Sequence, residues 1–244
     1  LVQSSQPFTM AQPFLAARFG YSKAMGAINR AYGQQIKGEW TDAKLQEWNE
    51  QNRKLIEQIK DLDDEGKTKD LNVRVKGMEM RDIERLAIAV SPSLNISLSH
   101  EAMELIASGK PNDLELMKLI GTFMSVSETT SRKAGFLAAF RLKYNQTGDF
   151  AAAHKFATDM LNDVFFDYSS QNRPKLLTGN MGRFFGQFRV FQVQSLFKIG
   201  KLFHDAIGTN ATLSAEEKKT ARKELGFLLF NNFSLAGATG MPLM

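Results

Sequence analysis

Apolar residues recur at helical spacing along almost the whole chain. Leu45, Trp48, Leu55, Ile59 and Leu62 follow one another at intervals of three, seven, four and three residues, which a period of 3.6 places on one face. One short run, "SLNISLS" at Ser93 to Ser99, alternates as a strand does. A lone strand has no neighbour to take up its backbone N–H and C=O groups, so the run is read as loop. The expected fold class is all-α, roughly eight helices with no significant sheet. Periodicity leaves open whether they form a bundle or an elongated array.

Start and stop signals divide the chain further. Pro13 suits the first turn of a helix that runs to about Lys37, where Gly38 stops it. Thr41 caps a second helix. "DDEGKTKD", Asp63 to Asp70, reads as a solvated turn, too short for a domain linker although the chain is divisible near 63–77. A short helix over Met78 to Val90 ends at Ser91-Pro92, because the residue before proline is pushed out of the helical region. His100 to Ser108 is read as helix, closed by Gly109. Asn112 with Glu115 forms a capping box for a helix through Val126. Ser127 caps the next, through Tyr144, and Asp149 another, through Tyr168. The basic segment Asn180 to Gly208 follows, and Ser214 with Glu217 opens the last helix. Residues 1–244 are read as one helical region of a longer polypeptide, since "LVQSSQPF" lacks an initiator methionine and "GATGMPLM" follows directly on an apolar stretch.

Chemistry finds little support in these residues. The chain has 244 residues, enough for a real core, and a net charge of +5 that by itself implies no nucleic-acid partner. With no cysteine, disulfides, thiolate metal sites and cysteine catalysis are excluded. His100, His154 and His204 belong to no metal-binding pattern and are read as ordinary surface or boundary histidines. Asp159, Asp163 and Asp167 share a helix face that can take a hard cation or pair with downstream arginines; a solvated face is the reading adopted. Gly179, Gly182 and Gly186 lack the Lys-Ser/Thr and the preceding strand of a phosphate loop. Gly182 and Gly186 instead give the GxxxG spacing of close helix approach. No catalytic, cofactor or metal residue is assigned, and the region is not read as an enzyme.

The charge distribution says more than its sum. Glu39 to Glu84 mixes acids and bases, whereas Tyr168 to Gly208 holds six lysines or arginines and no acid before Asp205. On a helix, Met181, Phe184, Phe185, Phe188, Phe191, Leu196, Ile199, Leu202 and Phe203 form a broad apolar band, with Arg183, Arg189, Lys198 and Lys201 among or beside it. Such a helix suits a core with snorkelling ends, a membrane interface, or a surface whose lysines face phosphates. Arg173, Lys175, Arg183, Arg189, Lys198 and Lys201 are the candidate DNA or membrane contacts. Phe184, Phe185, Phe188, Phe191, Leu196 and Phe203 are the candidate apolar face for membrane or partner. Leu225 to Met244 carries no charge over 20 positions, close to a bilayer's span, but Asn231, Asn232, Ser234, Thr239 and Pro242 make it a marginal one. Lys218, Lys219, Arg222 and Lys223, just before it, suit an anionic membrane surface. Residues 178–244 thus read as a basic-aromatic helix plus an apolar C-terminal helix.

Three segments carry a resemblance. "DYSSQNRPKLLTGNMGRFFGQFRVFQVQSLFKIGKLF", Asp167 to Phe203, resembles the C-terminal region of the large internal virion proteins of podoviruses and the related phage polyvalent proteins. The shared pattern is Tyr168-Ser169, Asn172-Arg173-Pro174, the Gly179 to Arg183 turn, and Gln187-Phe188-Arg189 with Phe191. "QPFTMAQPFLAARFGYSKAMGAINRAY" and "SETTSRKAGFLAAFRLKY" resemble two further parts of that region, in the same order. The resemblance implies a protein packed inside the capsid and ejected ahead of the genome. It would then join other ejection proteins, as a homo-oligomer, in a conduit carrying double-stranded DNA across the host periplasm and inner membrane. DNA contact in such a tube would be sequence-independent and salt-sensitive, because tight phosphate contacts would hold the duplex back. Portal or core proteins are the partners implied within the virion. Some members carry a peptidoglycan-cleaving domain; none of these residues resembles one. A structural core or spacer without membrane contact is the alternative, and the charged helix Thr41 to Asp64 suits it equally.

Overall fold

Gly20 breaks what the spacing reads as one N-terminal helix. Its φ of +90° lies where a side chain is strained and glycine is not, so the chain turns between α1 (Gln12–Phe19) and α2 (Tyr21–Ile36). The computed structural model describes residues 7–60, 68–91, 94, 114–165, 195–207 and 212–236. A π-helical turn, Pro7–Ala11, leads into α1 with Pro13 in its first turn. α2 ends at Ile36 with Lys37 as its C-cap, and Gly38 follows at φ +67°, as its position predicts.

α3 (Asp42–Gln51) starts after Thr41, and α4 (Arg53–Lys60) follows a break at Asn52. The Asn52 side chain donates to the Trp48 carbonyl at 2.9 Å, the local competition by which asparagine ends helices. The single stripe expected here is therefore two helices, with Leu45, Trp48 and Ile56 buried. α5 (Thr68–Val75) takes up the end of the predicted solvated turn, and α6 (Met80–Ala89) matches the helix expected before Ser91-Pro92.

α7 (Leu114–Thr147) and α8 (Phe150–Val164) form the centre. α7 runs 34 residues without interruption, so Ser127 is an interior position and not the cap that the sequence suggests. Gly148 at φ +66° and Asp149, whose carboxylate accepts from the Ala152 N–H at 3.1 Å, reverse the chain in two residues. The two helices lie antiparallel, with Phe140 against Phe150 and Phe136 against His154. From Ala134 to Phe140 the residues of α7 are buried on every side, because α2 and α6 also pack on it. Asn72 of α5 accepts from the Phe150 N–H at 2.8 Å, so a distant side chain completes the α8 cap.

The last two described helices are α9 (195–207) and α10 (Ala215–Ala236). α10 packs on α1 through Ala221, Glu224, Leu228 and Asn231, spaced at three and four residues and all buried. Glu224 meets Arg18 and Asn231 meets Gln12, so the two run antiparallel and bring the two ends of the described chain together. The described residues hold helices and no strand, as the spacing requires. The expected helix His100 to Ser108 and the run Ser93 to Ser99, apart from Leu94, lie outside them.

Candidate functional site

Helix α9 turns Lys198 inward and Phe197 and Phe203 outward. Ser195, Lys198, Leu202 and Ala206 are buried along one stripe, whereas Phe197 is 75% exposed and Phe203 and Ile207 more than half. Burial of apolar surface would favour the reverse by about 2 kcal/mol for each such side chain. The inward face is held instead by charge.

Lys198 is the centre of that charge. Its ammonium pairs with the Asp163 carboxylate, donates to the Asp163 carbonyl at 3.3 Å and stands 3.3 Å from Glu224 Oε1. The Phe14 ring centroid lies 5.6 Å away. Arg18 completes the set: Nη1 reaches Glu224 Oε2 and the Phe14 carbonyl, both at 2.8 Å, and its guanidinium lies 3.5 Å over the Phe14 ring. Two cations thus meet two carboxylates, and both lie near the Phe14 ring. Four helices contribute: α1, α8, α9 and α10. Lys201, mostly exposed, adds a cation 3.8 Å from Asp163. The seam lines a cleft of about 380 Å³, to whose wall Asp205, Glu216 and Glu217 also contribute.

The arrangement joins four helices by charge. Every cation in it faces a carboxylate, and no cluster of His, Asp or Glu among the described residues can hold a metal ion. Asp159, which the spacing groups with Asp163, pairs with Lys155 at 2.8 Å on the surface, so the two carboxylates do not converge. His154 is half-buried between rings, with centroids 5.6 Å from Phe136 and 6.1 Å from Phe150. Burial holds its pKa below the ordinary 6.5, partly offset by its hydrogen bond to the Ala87 backbone. His204 is exposed beside Asp205.

Of the sequence-predicted contacts, Arg173, Lys175, Arg183, Arg189, Phe184, Phe185, Phe188 and Phe191 lie outside the described residues. Lys198 is buried in the seam, so its ammonium is engaged within the chain and does not face outward. Lys201 and Phe203 are exposed and Leu196 is half-buried. Sequence reasoning missed Asp163 and Glu224 as partners of Lys198, and Arg18 as the second cation on Glu224. Their separation along the chain leaves no local signal; only Asp163 stood in a motif, and there as one of three equivalent carboxylates.

The second exposed surface is on α10. The marginal span predicted from Leu225 onward belongs, as far as Ala236, to a helix that begins at Ala215 and carries seven charged residues before Leu225. Its buried face includes Glu224 and Asn231, and Leu229, Phe230 and Phe233 face outward. No helix among the described residues is long and apolar enough to cross a membrane. Comparison with protein families, with curated proteins and with solved structures found no match for this chain.

Proposed function

We propose that this chain is part of a phage internal virion protein that is ejected into the host and contributes to a conduit carrying viral DNA across the periplasm and inner membrane. The observation that carries this reading is the ordered resemblance of three segments, above all Asp167 to Phe203. The exposed Phe197, Phe203 and Ile207 support it, because a conduit subunit needs an outward apolar face for neighbours or lipid. Exposed groups of large apolar side chains are a feature of interaction surfaces.

The alternative, a core or spacer protein that stays in the virion, is supported by the exposed charged faces of α4 and α5, where Arg53 pairs with Glu57 and Arg74 reaches Gln58. Mass spectrometry of purified virions, and of host membrane fractions before and after adsorption, separates the two. The conduit reading expects the chain in virions and then in the host membrane fraction. Retention in the spent particle selects the spacer, and absence from virions overturns both.

A further inference from the structure

The outward stripe of α10 has an order along its axis. Lys219, Arg222, Lys223, Leu229, Phe230 and Phe233 are all exposed, with Gly226 between the bases and the apolar group. Their spacing of three, four and seven puts them on the face opposite Ala221, Leu228 and Asn231. This stripe carries no acid. Tyr21, itself at the surface, flanks Phe230 at 6.4 Å and Phe227 at 5.7 Å between centroids, which widens the apolar end.

We infer that this stripe docks α10 obliquely on an anionic lipid leaflet, with Leu229, Phe230 and Phe233 in the acyl layer and Lys219, Arg222 and Lys223 among the headgroups. The inference rests on the membrane contact in the proposed function and names the surface that makes it. Charge and apolarity arranged in series match a leaflet, whose anionic plane lies above its hydrocarbon. A DNA backbone offers phosphates for the three bases and nothing for the apolar end. A second copy fits poorly in either orientation: parallel packing sets base against base, and antiparallel packing buries the bases against phenylalanines. From Lys223 to Phe233 the helix rises about 15 Å, half of the roughly 30 Å hydrocarbon core, so the stripe reaches into one leaflet.

The test is flotation of the chain with vesicles of phosphatidylcholine alone and of its equal mixture with phosphatidylglycerol. The chain is expected to float with the anionic vesicles and not with the neutral ones. Phe230→Ser with Phe233→Ser is expected to weaken binding about tenfold or more; Lys219→Gln with Lys223→Gln is expected to weaken it and flatten its salt dependence. All four side chains are exposed, so unchanged circular dichroism is expected to certify the fold. Because the chain has no cysteine, single labels at Ser234→Cys and Glu216→Cys can report depth: acyl-brominated lipid should quench the first and spare the second. No flotation, flotation that neither double variant alters, or equal quenching at both labels would overturn the inference. A chain that floats but is absent from virions keeps this surface and loses the proposed function; a virion protein that does not float does the opposite.

Discussion

Arg141 and Glu84 face each other inside the helical body with side chains 8% and 3% exposed, and Gln34 also accepts from the guanidinium. Removing one partner leaves an uncompensated buried charge. Arg141→Met is therefore expected to cost about 3–5 kcal/mol, and Arg141→Met with Glu84→Leu to recover most of it, as read from urea unfolding. Gly135 is a second tight point, since a Cβ there would meet the Phe165 ring at 2.7 Å. Gly135→Ala should destabilise by about 1–3 kcal/mol from overpacking despite alanine's better helix propensity, and Phe165→Leu should relieve it. His154 sets a pH dependence. Its folded pKa is below 6.5, so below that value the unfolded chain binds a proton that the folded chain resists. Its stabilising contribution is complete above 6.5, falls as pH drops through the folded pKa, and is absent in His154→Phe; urea midpoints from neutral to mildly acidic pH check it. Little of this was legible in the sequence. Arg141 and Glu84 are ordinary surface residue types, and burial is decided by neighbours that only the fold supplies.

Elements were legible where a local signal fixes them. Thr41 and Asp149 stand at helix starts, Gly38 and Ser91-Pro92 at stops. The capping box at α10 closes as its residues imply: Glu217 Oε2 accepts from Ser214 Oγ at 2.7 Å and from the Ser214 N–H at 2.8 Å. These hydrogen bonds hold the Glu217 carboxyl below its ordinary range. The cap is thus in place above pH 4.5 and is lost as pH falls through the lowered value. Ser214→Ala should speed amide exchange in the first turn of α10 about fivefold at neutral pH, with no such effect in α7. Boundaries failed where a residue type permits two outcomes. Glycine is tolerated within helices, so Gly20 does not announce its φ of +90°. Serine caps helices but also occurs inside them, and Ser127 does the latter. The two lysines of α9 show the same ambiguity: Lys198 and Lys201 sit three residues apart, yet one is buried and the other exposed.

At the scale of the whole molecule the all-α class followed from period alone, whereas the joining of α1 to α10 did not. It depends on Arg18, Asp163, Lys198 and Glu224, which no window of sequence contains together. Glu224→Gln removes a carboxylate that two cations share and should loosen α9 and α10 by about 3 kcal/mol. Hydrogen exchange is expected to rise in both helices while α7 and α8 keep their protection; a uniform rise across the molecule would instead mean that the ends unfold only with the centre. The separation of the partners also governs timing. Arg18 and Glu224 stand 206 positions apart, and a ribosome adding about 5–20 residues per second delivers the second roughly 10–40 s after the first. During that interval the α7–α8 hairpin can close on itself, but α1 leaves the ribosome without the helix that covers it. Until α10 arrives, Gln12 and Arg18 of α1 lack Asn231 and Glu224, their partners in the finished fold.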